Sequence, residues 1–298
     1  MAFRAPAGVP SIDKSTTHTE PVNETTGSDL EAEGKQSGRF LIRLPLLTSH
    51  STEKRMNIEL LLEDATRSVL IIEDRARKDI VVGVPHHAPA GTPKLPCPEH
   101  EDADENAGFL GRYLAAQLDC CSVIACNYRV DVNKRGDTDY TQQIVRWKPK
   151  VLIEIHGHGG KKAGRNAVEI SSGSAVNDKF SKALAEKVQA GFASHEDLKK
   201  ISVCGEYDKI HFKAAKAVTI SDDRWTAYHI ELPPGLRKLA GAATSRPPAT
   251  GYQFCDVLDS DNFCSIRSNL PGAGRRETKS PGPVKFGRRE TYGEWYGQ

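Results

Sequence analysis

Two imidazoles close a run of apolar residues at Val151 to Gly160, VLIEIHGHGG. Val151, Leu152, Ile153 and Ile155 have the β-branched bias of a buried strand, and His156 and His158 stand at its end among three glycines. A second such run, Asp79 to Pro85 (DIVVGVP), leads directly into His86-His87. A proline-rich loop after it ends in acids, with Asp104 and Glu105 just ahead of a helical pattern at Phe109, Leu110, Tyr113, Leu114 and Leu118. Imidazole is the commonest metal ligand and a frequent acid–base group. The carboxyl ends of strands are where open α/β sheets bind ligands. His86 or His87, an acid at Asp104–Glu105, and His156 therefore form a candidate metal set. Two histidines and one carboxylate suit catalytic zinc, with a fourth position left for water or substrate. Nitrogen and oxygen donors without thiolate favour Zn²⁺ over an iron–sulfur cluster or magnesium. The competing reading of HGHGG is a glycine-rich turn whose histidines only hydrogen-bond.

The elements that must position these groups follow from pattern. Ser68–Asp74 and Asp79–Pro85 read as neighbouring strands, Ser122–Tyr128 as the next, and Thr141–Trp147 as a short helix before VLIEI. Ala167–Ile170 reads as a strand and Asn177–Ala190 as an amphipathic helix with Phe180, Leu184 and Val188 on one face. Lys200–Cys204 and Ala217–Ile220 are further strand candidates, and Ala227–Leu232 (AYHIEL) is a strand ended by Pro233-Pro234-Gly235. Arg39–Leu47 holds Pro45, which limits it to an edge strand. Alternating strands and helices make an α/β domain, a mixed sheet flanked by helices, over residues 39–240. Residues 1–38 are rich in Ser, Thr, Glu, Gly and Pro and are expected to be disordered. Residues 241–298 are expected to be a partly ordered basic segment, in which GRRET occurs at Gly274–Thr278 and again at Gly287–Thr291.

Composition excludes several classes. A net charge of +2 provides no chain-wide basic field for nucleic acid. No apolar run approaches the roughly 20 residues of a spanning helix, so no membrane partner is expected. The seven cysteines form no CxxC pair, and the N-terminus has no apolar signal core, which together suggest free thiols in a cytoplasmic protein. A serine esterase would need a G-x-S-x-G elbow, and Ser174 in SSGSA has the wrong surroundings for one.

The order of PH, an acid opening a helix, RVDVNK at Arg129–Lys134, HGH and IEL resembles the N-formylglutamate amidohydrolase group of the zinc carboxypeptidase-like fold. The resemblance covers roughly Asp79 to Leu236 and rests on short motifs. It implies a three-layer architecture and a zinc-dependent hydrolase of an amide bond in a carboxylate-bearing substrate, an N-acyl amino acid or a peptide C-terminus. It implies His86, an acid and His156 as zinc ligands, Glu231 as general base, and Arg129 and Asn133 as groups for the substrate carboxylate. Lys134 stands where the group usually has Arg, a point charge in place of a planar fork. The His-x-x-Glu spacing of carboxypeptidases is absent. Glu105 with Asn106-Ala107-Gly108 is similar to the Glu-x-x-Gly that opens a helix in the related aspartoacylase group, which favours Glu105 over Asp104. Acceptors behind the histidine rings are expected from Asp102 or Asp131. On Ala227–Leu232, alternation sets Ala227, His229 and Glu231 on one face, and a carboxylate near the end of an apolar strand needs a reason to be there. The second reading, from another class, is a non-catalytic relative that acts as a binding or scaffold protein.

Overall fold

A computed structural model of the chain describes residues 40–44, 52–238 and 246–259. In chain order the elements are β1 (Phe40–Leu44), α1 (Thr52–Glu63), β2 (Val69–Glu73), β3 (Arg77–Ala88), β4 (Asp104–Glu105), α2 (Ala107–Gln117), β5 (Cys120–Cys126) and α3 (Asp139–Trp147). There follow β6 (Val151–Gly157), β7 (Ala167–Ser171), α4 (Asp178–Phe192), β8 (Ser202–Cys204), α5 (Val218–Ser221), β9 (Thr226–Leu232), α6 (Pro234–Arg237) and α7 (Ala249–Asp259).

One mixed sheet runs β1-β2-β5-β3-β6-β9-β7-β8, and the short β4 pairs with β3 off this path. The inner strands β5, β3, β6 and β9 are mutually parallel, whereas β2 and β7 run antiparallel to them. Parallel strands need both faces covered, and two apolar layers cover them. One contains Val82, Val84, Ile153, Ile155 and Ile230 from the sheet, packed on Leu62 of α1, Leu110 and Leu114 of α2, Leu184 of α4 and Phe254 of α7. The other contains Val81, Val123, Leu152 and Ala227, packed on Tyr140, Ile144 and Trp147 of α3 and Ile220 of α5. The result is a three-layer arrangement: the α/β class follows from the strand–helix alternation, and the three layers are those the family resemblance implies.

Three local expectations differ from the structure. Ala217–Ile220 reads as a strand but folds as the turn of α5, with the Ile220 and Ser221 amides donating to the Ala217 carbonyl. Among the described residues its β-branched side chains find no partner strand. Trp225 Nε1 instead donates to the Thr219 carbonyl, so tertiary packing overrides strand propensity. Helix α1 is not among the expected elements: Ile58, Leu61 and Leu62 have helical spacing and pack on the core, but the exposed Leu60 between them blurs the period. Helix α7 lies beyond the domain edge placed at residue 240 and buries Phe254, Cys255 and Leu258 in the core. Residues 1–38 and both GRRET copies lie outside the described residues. Among the described residues all cysteines are free thiols, and no helix is long and apolar enough to cross a membrane.

Candidate metal centre

The carboxyl ends of β3, β6 and β9 lie side by side, and the polar groups gather there. On β6, Glu154 and His156 share the face that Leu152 contributes to the α3 layer, since residues two apart point the same way. On β9, His229 and Glu231 do the same, in register with Glu154 and His156 respectively. Strand β3 reaches the same face by an irregularity. Strict alternation from Gly83, which abuts Glu154, would bring His87 to the site and turn His86 away. A register shift between Val84 and His87 reverses this. His86 therefore joins His156, their ring centroids 5.1 Å apart, while His87 turns toward α2.

Asp104 stands between the two imidazoles. Its Oδ2 lies 3.5 Å from His86 Nδ1 and 3.3 Å from His156 Nδ1. One donor atom from each of His86, Asp104 and His156 fits within 4.8 Å of the others, and all three residues are buried. The far nitrogen of each ring faces a carboxylate: His86 Nε2 is 3.0 Å from Asp131 Oδ1, and His156 Nε2 is 3.3 Å from Glu154 Oε2. A proton held on each Nε2 leaves both Nδ1 lone pairs aimed at one region, as in carboxylate–histidine–metal triads. His86 Nδ1 and Asp104 Oδ2 are buried yet have no hydrogen-bond partner among the described residues. Unpaired buried polar atoms of this kind need an explanation, and a divalent cation fits this donor set.

Electrostatics agree. Burial works against a charge on His156, but the Asp104 and Glu154 carboxylates outweigh it and push its pKa up to about 10. His86 is likewise raised despite its burial, by Asp104 and Asp131. Burial alone would raise Asp104, and the two imidazoles hold it well below the usual carboxylate range. Without metal, then, the cluster keeps protons on the nitrogens a cation needs. Zinc uptake at neutral pH is expected to release roughly one or two protons and to weaken as pH falls. Calorimetry in buffers of different ionisation enthalpy would measure this release; uptake without it would mean that other atoms bind.

Of the two acids, the geometry favours Asp104. Neighbouring residues on a strand face opposite ways, and Glu105 is turned to Lys238 Nζ at 3.2 Å and the Gly91 amide at 3.3 Å. The preference for Glu105 drawn from sequence has no support in this arrangement. Of the two acceptors expected behind the rings, Asp131 is in place, while Asp102 only offers its backbone carbonyl to His100. Glu154 had not been singled out. It is fully buried and accepts from Tyr140 Oη at 2.9 Å and Asn133 Nδ2 at 3.2 Å. Glu154, His156 and His229 form a second close group, but the Glu154 oxygens are already engaged by Tyr140, Asn133 and His156.

The remaining candidates divide. Glu231 is buried at the end of β9, where Oε1 accepts from His229 Nε2 at 3.0 Å and Oε2 has no partner. Burial would raise its pKa, but His229 and His156 draw it below the ordinary value. Asn133 is committed to Glu154, Lys134 pairs with Asp131 Oδ2 at 2.6 Å, and Arg129 is exposed beyond the end of β5. His87 is structural: Gly108 donates to its Nδ1, its Nε2 meets the Leu62 carbonyl, and burial lowers its pKa to about 4. His158 bonds the Ala167 carbonyl and the Gly160 amide. His100, from the loop before β4, stacks its ring on that of His86, the centroids 3.9 Å apart.

Arg237 supports the strand ends from below. Its buried guanidinium donates to the carbonyls of Leu232, Glu105 and His158, not to Glu231. Gly157 makes room for it: a Cβ there would lie 2.1 Å from Arg237 Cζ.

No protein-family model and no curated protein matches the chain. Solved structures do resemble it. N-formylglutamate amidohydrolase from Ralstonia eutropha JMP134 is similar over 67% of this chain and 99% of its own, at 12% identity and a TM-score of 0.44. A bacteriophage poly-gamma-glutamate hydrolase matches over 72% and 97%, at 9% identity and a TM-score of 0.43. A metallo-carboxypeptidase from Burkholderia cenocepacia matches over 73% and 70%, at 10% identity and a TM-score of 0.39. These neighbours include the group that the motif order resembles. At such identities and TM-scores they bear on neither substrate nor mechanism.

Proposed function

We propose that the protein is a zinc-dependent hydrolase of an amide bond in a substrate that carries a carboxylate, such as an N-acyl amino acid or a peptide C-terminus. The observation that carries this reading is the convergence of His86 Nδ1, His156 Nδ1 and Asp104 Oδ2 in a buried cluster, two of the three atoms lacking a hydrogen-bond partner among the described residues. His86, Asp104 and His156 would hold the cation, which when bound supplies Lewis-acid polarisation of a carbonyl and a more acidic water. Asp131 and Glu154 fix the two rings in the ligating tautomer. Glu231 is the base: its unpartnered Oε2 takes a proton from the attacking water and returns it to the leaving amine. Burial around these groups excludes bulk water and strengthens each charge interaction.

Arg129 is the proposed group for the substrate carboxylate, because it is exposed at the strand-end side and a guanidinium binds carboxylate by paired, charge-assisted bonds. Asn133 and Lys134 contribute indirectly, through Glu154 and Asp131. Arg129→Ala is expected to raise KM by about tenfold or more, the scale of one charged hydrogen-bonded contact, with zinc content unchanged. Equal KM values for the variant and wild type would remove this assignment. The whole reading is tested with a panel of N-acyl amino acids and short peptides, assayed before and after chelation and after zinc is restored. Turnover that disappears with chelator and returns with zinc supports it. A folded, zinc-loaded protein that turns over nothing in the panel favours the scaffold reading.

A further inference from the structure

His229 is a histidine that the metal cluster does not use, and its placement is specific. It lies two residues before Glu231 on β9, so both side chains leave the same face of the strand. Its Nε2 is 3.0 Å from Glu231 Oε1, and its ring lies against His156 with centroids 4.0 Å apart and planes at 42°. It is 6% exposed, and its Nδ1 is buried without a hydrogen-bond partner. Leaving a ring nitrogen in that state costs free energy, so packing alone does not explain a histidine here. Phenylalanine or leucine would fill the space against His156 without that cost. What only a ring N–H or an amide provides is the bond to Oε1.

Resting on the base assignment above, we infer that His229 is a positioning residue that holds Glu231 by Oε1 so that Oε2 remains the atom free to take the proton. The tilted contact with the His156 ring restricts the imidazole plane, and the plane fixes the direction of the Nε2–H bond. Misplacement of a reacting group by about 1 Å can lower rate by ~10²-fold, so a device of this kind is worth its buried, unpaired nitrogen.

The test uses the zinc-loaded full chain and the N-acyl amino acid turned over fastest in the panel. His229→Leu keeps the bulk and removes the donor; His229→Gln restores an N–H near the position of Nε2. His229→Leu is expected to lower kcat by ~10–10²-fold, as loss of orientation should, with KM and zinc content unchanged. His229→Gln is expected to recover most of that loss. Adding His229→Leu to Glu231→Gln should cost nothing further, since two residues acting as one unit are not additive. Imidazole ¹⁵N NMR of the zinc-loaded protein gives a readout independent of turnover: the His229 proton should sit on Nε2. Wild-type kcat in folded His229→Leu, a fully additive double variant, or a proton on Nδ1 would each overturn the inference. Full activity in Glu231→Gln would instead remove the base assignment itself.

Discussion

Glu231→Gln is expected to fold, to retain its zinc and to lose about 10²–10⁴-fold in turnover, the range for a missing general base. The change keeps the shape of the side chain and its acceptor for His229 Nε2, so the hydrogen bond at Oε1 survives. It removes the basic lone pair at Oε2, the buried oxygen with no hydrogen-bond partner among the described residues. A structural role predicts the reverse pattern, with stability lowered and turnover per folded molecule kept. A salt bridge to Arg237 does not account for Glu231 either, because that guanidinium donates to three backbone carbonyls. Wild-type kcat in the folded, zinc-loaded variant would eliminate Glu231 as base.

The second large effect separates Asp104 from Glu105. Asp104→Asn should weaken zinc by more than ~10²-fold, beyond the ~10–100-fold typical of losing an outer partner of a metal ligand. The Asp104 carboxylate oxygen faces both Nδ1 atoms, and an amide there is neutral. Glu105→Gln should bind zinc as the wild type does, because Glu105 serves Lys238 and the Gly91 amide. Competition against a chelating dye measures both constants. Normal affinity in Asp104→Asn together with loss in Glu105→Gln would return the ligand role to Glu105.

What sequence could reveal depended on how directly chemistry follows from local pattern. His156 was legible because an apolar run of strand character ends at it, and the end of a parallel strand is a binding position. His86 was legible in place but not in orientation; the irregularity between Val84 and His87 that turns it inward leaves no periodic trace. Asp104 and Glu105 could not be separated for a similar reason. The choice depends on which face of a two-residue strand each occupies, and two residues have no period to read. Glu154 is the instructive omission. A carboxylate in an apolar strand needs a reason to be there, and that holds for the Glu within VLIEI as much as for Glu231. His100 reaches His86 through a loop fold that no pattern encodes. Helix α7, by contrast, had Gly251, Phe254, Cys255 and Leu258 at helical spacing, a signal masked by the polar residues around it.

The central claim is a buried cation at His86, Asp104 and His156, and metal stoichiometry tests it most directly. Purified full-length protein, equilibrated with zinc and freed of excess, would be assayed for bound metal by mass spectrometry alongside His156→Ala. The account predicts about one tightly held zinc per chain in the wild type, as a site with three protein ligands holds, and none at that site in the variant. A cleanly folded wild type that holds no zinc, or a His156→Ala protein that holds as much as wild type, would contradict it.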